Sequence, residues 1–196
     1  TLSQQKSTSA VIFYWGIDQG FPDLGVHNIL YSDDYRQEFA KLEAGELGDD
    51  VTVYVNISSK IVPEDAPRGC ENWIVMVNAP ADNGQDWDVV IALLKKHFPA
   101  PAAAHSKAFG LQHSVFSEDL IVEERIVTPP EIERLTGSHQ GALYGTSSNN
   151  TMAAFLRHPN FSHRIDGLYF LGGSVHPGGG VPLCLRSAKI TAGLIS

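Results

Sequence analysis

An unbroken apolar run, Ala10-Val11-Ile12-Phe13-Tyr14-Trp15-Gly16-Ile17, stands near the start of the chain. It is too short for a membrane span, and its β-branched and aromatic side chains predict a central strand covered on both faces. Turn chemistry follows at Phe21-Pro22-Asp23-Leu24-Gly25, and His27-Asn28-Ile29-Leu30-Tyr31 predicts a short second strand. Ser32-Asp33-Asp34 supplies an N-cap for a helix through Leu42, with Tyr35, Phe39 and Leu42 at helical spacing. Apolar side chains take the odd positions of Val51-Thr52-Val53-Tyr54-Val55-Asn56-Ile57, and Trp73-Ile74-Val75-Met76-Val77-Asn78 is a further apolar run. These two predict neighbouring strands.

The second half alternates in the same way. Trp87, Val90, Ile91, Leu93 and Leu94 mark an amphipathic helix over 86–97, ended by Phe98-Pro99. The stretch 99–105, rich in Pro and Ala, reads as a loop or lid, and 120–127 as another strand. Thr128-Pro129-Pro130-Glu131 has the form of an N-cap Thr, a Pro at the first helical position and a Glu at the third, opening a short helix through Leu135. Gly167-Leu168-Tyr169-Phe170-Leu171 predicts a strand, followed by a glycine-rich loop and a helix from about Pro182 to Leu194. No internal repeat appears. Antiparallel-looking strands interspersed with single helices make the expected class α+β.

Composition narrows the function classes. The chain has 196 residues, 43% of them hydrophobic, enough for a core without staples. A formal net charge of −8 disfavours nucleic acid, and no Lys/Arg run with interleaved aromatics offsets it locally. Cys70 and Cys184 lie far apart, outside any metal-ligand spacing, so no metal site is expected and a reducing cytoplasm fits best. Three glycosylation-like tripeptides, starting at Asn56, Asn149 and Asn160, carry no weight without a signal peptide. The chain opens Thr1-Leu2-Ser3 and soon enters a core-like run, which leads us to expect a portion of a longer protein.

The candidate chemistry lies in Phe170-Leu171-Gly172-Gly173-Ser174-Val175-His176-Pro177-Gly178-Gly179-Gly180-Val181-Pro182. A Walker loop fails, because Gly179 and Gly180 stand where Lys and Ser/Thr are needed. A dinucleotide fingerprint fails, because Leu183 takes the position of the last Gly and no βαβ unit follows. A hydrolase elbow fails, because His176 replaces the closing Gly and no His lies downstream. Two readings stand: a tight structural turn, and a backbone cradle lying flat against a planar, partly anionic ligand that faces the N-terminus of the last helix.

The run 167–182, continuing into Ser187-Ala188-Lys189-Ile190-Thr191-Ala192-Gly193, closely resembles the C-terminal signature of the phytoene desaturase family of FAD-dependent carotenoid oxidoreductases. Further resemblances keep the family's order: Ser9-Ala10 leading into Phe13-Tyr14-Trp15-Gly16, Asp33-Asp34-Tyr35-Arg36, Glu71-Asn72-Trp73, Thr128-Pro129-Pro130-Glu131 and Arg157-His158-Pro159-Asn160. The resemblance implies that residues 1–135 belong to a mostly antiparallel substrate-domain sheet with flanking helices. Residues 136–196 would return to an FAD-binding domain, which the strand, glycine loop and helix complete. It implies cofactor contacts at Gly172, Gly173, His176, Pro177, Gly178, Gly179, Gly180, Val181 and Pro182. The family's N-terminal Rossmann segment is missing here, so the adenosine half of FAD would depend on it and the isolated chain is expected to be inactive.

The implied substrate is a carotenoid or other polyene lipid, either phytoene or a hydroxycarotenoid, oxidised from a single to a double carbon–carbon bond. A carotenoid isomerase or polyene saturase shares the fold and loop, and a non-catalytic lipid-binding module would use the same apolar sheet. Peripheral membrane contact follows from a bilayer-resident substrate. His176 is expected to order the loop by hydrogen bonding, and no catalytic residue is assigned. Cys184 reads as a small hydrophobe, Phe13, Trp15 and Trp73 as core, Glu43 to Asp50 as a solvated face, and Arg157, His158 and His163 as surface residues flanking a Pro-Asn turn.

Overall fold

A strand buried on one face needs neighbours for its backbone and a layer for its side chains. In the computed structural model, which describes residues 5–97, 118–145, 147 and 157–195, the long apolar runs find both. The strands are β1 (Ser9–Ile17), β2 (His27–Leu30), β3 (Val53–Asn56), β4 (Glu71–Ala79) and β5 (Ile121–Val127). They form one antiparallel sheet in the order β2-β3-β4-β1-β5. β1 is therefore an interior strand, as its composition predicts, but the cover expected on both faces is corrected, since Tyr14 is 42% exposed; it pairs with β4 from Ser9↔Ala79 to Ile17↔Glu71. The adjacency predicted for the runs 51–57 and 73–78 is the β3–β4 ladder.

Register sorts the side chains into two faces. One carries Val11, Phe13, Trp15 and Ile17 of β1, Trp73, Val75 and Val77 of β4, and Val55 of β3, all buried in one cluster with Phe21, Leu24, Ile57 and Leu94. Leu94 comes from α2 (Trp87–His97), whose Trp87, Val90 and Ile91 pack against the same cluster. Phe21 meets Trp73 edge-on at 5.1 Å between ring centroids. The other face stays half-open.

Helix starts follow local chemistry in part. α1 (Tyr35–Glu43) is capped by Asp34, whose carboxylate accepts from Gln37 N–H at 3.0 Å. Ser32 instead turns inward and donates to the buried Glu38 at 2.7 Å, with Thr52 donating to the same oxygen at 2.6 Å. α3 (Pro129–Thr136) starts at Thr128 with Pro at its first turn, but the Thr128 hydroxyl makes no capping bond. Glu131 is drawn instead into ion pairs with Arg125 and Arg134, each at 3.3 Å. α4 (Val181–Ile195) completes the set, giving four α-helices among the described residues.

The strand expected before the glycine loop is corrected as well. The segment 167–171 forms no strand; it makes an isolated bridge, Phe161↔Tyr169, flanked by bonds from Ser162 N–H to Leu168 O and from Phe170 N–H to Asn160 O. A ladder needs a second extended segment alongside. Here the Phe170 carbonyl is taken by the side chains of Asn160 and Thr191. The suggested lid at 99–105 lies outside the described residues. No helix among those described is long and apolar enough to cross a membrane.

Candidate functional site

The glycine loop is built on a short network of buried polar groups. Asn160, 3% exposed, aims its amide nitrogen at Phe170 O (3.1 Å), His176 O (3.0 Å) and Ser187 Oγ (2.8 Å). Ser187 Oγ also accepts from Gly172 N–H at 3.2 Å, and Thr191, one turn further along α4, donates to Phe170 O at 2.9 Å. The loop's first residue and its middle are thus tied to the same helix face. Arg157 closes the other side, donating to Gly173 O at 3.1 Å. The sequence marks Asn160, Ser187 and Thr191 only as parts of the family resemblance and assigns them no role in holding the loop. Two polar side chains four apart within an apolar helix, Ser187 and Thr191, were the available signal.

The nine expected contact positions divide by geometry. A Cβ at Gly179 would overlap the Tyr144 ring, one at Gly178 would press on the Arg157 guanidinium at 3.1 Å, and one at Gly173 would lie 3.3 Å from Gly179 Cα. Packing within the chain is sufficient reason for these three glycines. Gly178 also has a positive φ, +134°; Gly172 and Gly180, with φ of +119° and +99°, differ in having no atom within 4 Å of an added Cβ. Positive φ favours glycine there, and open space lies beyond the backbone. His176 acts through its main chain, its N–H donating to His158 O at 2.9 Å and its carbonyl accepting from Asn160, while its ring is exposed. Pro177 follows it through a cis peptide bond.

Beyond the loop, the α4 ladder begins with Cys184 N–H on Gly180 O at 2.9 Å. The amides of Val181 and Leu183 therefore head the helix outside that ladder, Pro182 has no N–H, and no acidic residue occupies the first turn. Val181, 74% exposed, and Leu185, 68% exposed, stand on the outer side with Leu171. An open backbone, forward-facing amides and apolar flanks fit a planar ring with an electron-rich edge, so the residues present are compatible with a flavin.

A second surface lies on the half-open face of the sheet. One row across it runs Ile29, Tyr54, Met76, Ile12, and the next runs His27, Asn56, Ile74, Tyr14. Tyr14 and Ile29 are 42% and 50% exposed, so this face keeps apolar area open to an outside partner.

No protein-family model matches the chain. Individual relatives do, along nearly its whole length. It is 53% identical over 196 residues to the 1-hydroxycarotenoid 3,4-desaturase of a Flavobacterium species, all of this chain against 39% of that protein. It is 32% identical over 196 residues to the phytoene desaturase of Neurospora crassa, 97% of this chain against 32% of that protein. The chain is a homologue of carotenoid and phytoene desaturases. It is also 30% identical over 190 residues to the 4,4'-diapolycopene oxygenase of a Methylomonas species, 95% of this chain and 37% of that relative. This carotenoid desaturase homologue thus spans about two fifths of the length of the curated relatives it matches, at most.

Proposed function

We propose that this chain is part of an FAD-dependent carotenoid desaturase, in which residues 1–135 form the substrate-binding portion and residues 136–196 return to the cofactor. The observation that carries the reading is the pair of open, positive-φ glycines, Gly172 and Gly180, beside the forward-facing amides of α4. The first half of an FAD-binding domain, with its dinucleotide loop, would come from chain beyond these residues.

Bound FAD would supply a two-electron acceptor for the hydride of an activated allylic carbon of the polyene, whose neighbouring carbon gives up a proton. Val181 and Leu183 amides would favour negative charge at the near edge of its ring, an effect of about 0.3 to 1 kcal/mol when exposed and more when water is excluded. Gly172, Gly180 and Pro182 let the ring approach, while Gly173, Gly178 and Gly179 let the loop fold onto Tyr144 and Arg157. The half-open sheet face, with Ile12, Tyr14, Ile74 and Met76, offers an apolar bed for the polyene, and burial there contributes roughly 25 cal/mol per Å². The protein would act in the cytoplasm, touching the bilayer from which its substrate comes.

The natural protein carrying this sequence should be purified and assayed with FAD and matched acyclic carotenoids. Retained flavin, with a product lacking two hydrogens and absorbing at longer wavelength, is the expected result. Unchanged mass with altered geometry would point to isomerisation, added hydrogens to saturation, and a colourless carrier that takes up polyene without flavin would overturn the reading.

A further inference from the structure

Near the β2 edge of the open sheet face, three polar side chains on β2 and β3 bond to one another, with Ile29 ending the first row beside them and His27 ending the second. His27 and Asn56 are direct cross-strand partners, and Tyr54 lies opposite Ile29 in the neighbouring row. The Tyr54 hydroxyl is 2.7 Å from His27 Nδ1, and the two rings stack with 20° between their planes. Asn56 Nδ2 lies 3.2 Å from the same Nδ1 and also 3.2 Å from the Val26 carbonyl.

These contacts favour one arrangement of protons. The Val26 carbonyl can only accept, so the nitrogen of the Asn56 amide faces it and donates. A donor-only amide nitrogen beside His27 Nδ1 favours the tautomer in which that nitrogen carries its lone pair, and the Tyr54 O–H, at 2.7 Å, is the donor that fills it. What remains on the outer side is one donor, His27 Nε2–H, and two acceptors, the Tyr54 oxygen and Asn56 Oδ1. Among the described residues, neither His27 Nε2 nor Asn56 Oδ1 forms a hydrogen bond. A group that donates and accepts at one atom meets such a set best, and an alcohol does both.

Position supplies the rest. Following the second row, Tyr14 and Ile74 lead directly to Asn56 and His27 across β1, β4, β3 and β2. Neighbouring strands are about 4.8 Å apart, so the row extends roughly 14 Å, a fair length of an extended polyene. A chain lying along it would pass over apolar side chains and end on the polar three. A hydrocarbon terminus there would strand those groups without partners, whereas a hydroxyl would replace the water they lose.

Resting on the polyene-binding reading above, we propose that His27, Tyr54 and Asn56 form an end-group site that selects a polyene bearing a terminal hydroxyl over the corresponding hydrocarbon. The test is binding of two acyclic carotenoids of equal conjugated length, one with a terminal tertiary alcohol and one without, presented in detergent micelles to the purified natural protein carrying this sequence and followed by quenching of Trp fluorescence. The alcohol should bind about fivefold to tenfold more tightly, the range expected for one or two net hydrogen bonds. In His27→Phe combined with Asn56→Leu, that preference should vanish while the hydrocarbon dissociation constant stays within about twofold. Tyr54→Phe, which keeps the ring, should reduce the preference by a smaller factor. An absent preference in the unaltered chain, a preference surviving the double substitution, or equal weakening of both ligands each overturns the end-group site and leaves the polyene reading standing. If neither carotenoid binds, the polyene reading itself falls, and this inference with it.

Discussion

The β1–β4 region and the loop–α4 region are held together by different forces. In the first, Val11, Phe13, Ile17, Val75 and Val77 are essentially inaccessible to water, and packing against α2 makes the layer self-sufficient. In the second, the buried positions of α4 are Ser187 and Thr191, while apolar Val181, Leu185 and Ile195 face outward. Apolar burial gives stability without much direction. A few hydrogen bonds to Asn160 give direction without much burial. A loop that must lie against a ligand needs its placement defined before its outer face is covered, and the polar network supplies that definition.

The contrast breaks most severely in the core. Phe13→Ala should cost about 3 to 5 kcal/mol by chemical denaturation, because a fully buried ring leaves a cavity between β1 and α2; a loss under 1 kcal/mol would deny that this layer carries the fold. Asn160→Ala should cost about 1 to 3 kcal/mol, since His176 O loses its donor while Phe170 O and Ser187 Oγ each keep one of two, but the loss should appear as faster hydrogen exchange in α4 with the sheet amides unchanged. Uniform acceleration across both regions would mean that they are one cooperative unit.

The two kinds of glycine sharpen the comparison further. Gly179→Ala forces Tyr144 to move, and should disturb the loop even without ligand, read as a change in Tyr144 solvent exposure. Gly180→Ala meets no neighbour but keeps φ near +99°, so about 1 kcal/mol of backbone strain is expected, together with weaker flavin retention in the natural protein. Equal effects on flavin retention and on the ligand-free loop at both positions would remove the distinction between packing glycines and cradle glycines.

The smallest effect lies at Cys70. Its thiol donates to Asp18 at 3.4 Å, and that hydrogen bond, with burial and the carboxylate charge adding to it, raises the thiol above its usual pKa. Less thiolate is present at a given alkaline pH, so alkylation by iodoacetamide should run slower than for a free thiol and its pH profile should lie to the alkaline side. Asp18→Asn should move the profile back toward lower pH. An unchanged profile would show that the contact does not persist in solution.

Much of the sheet was legible because its signals are local. The continuous apolar run of β1 and the alternation in β3 report burial directly, and Asp34 caps α1 through a bond three residues away. The 167–171 segment misled for the opposite reason: its apolar character suggests a strand, but whether a ladder forms depends on a second extended segment alongside, and Asn160 and Thr191 occupy the carbonyl instead. Glu71 was equally opaque. Its burial beside Lys60 at 2.6 Å, with bonds from Phe21 N–H and Trp73 Nε1, joins groups up to fifty residues apart, as the Phe21 to Glu71 separation of 50 shows.

By itself, the order of residues determined where apolar strands and helices arise, that glycine and proline crowd into one loop, and which family the chain resembles. Those properties rest on short-range sterics and on periodicity, which a linear pattern records. Only the folded chain decided which glycines touch neighbours and which stand open, that Asn160 anchors the loop to α4, and that His27, Tyr54 and Asn56 meet on one face. Hydrogen-bond partners and free space are properties of distance in three dimensions, and side chains distant along the chain acquire them only when strand register brings them together.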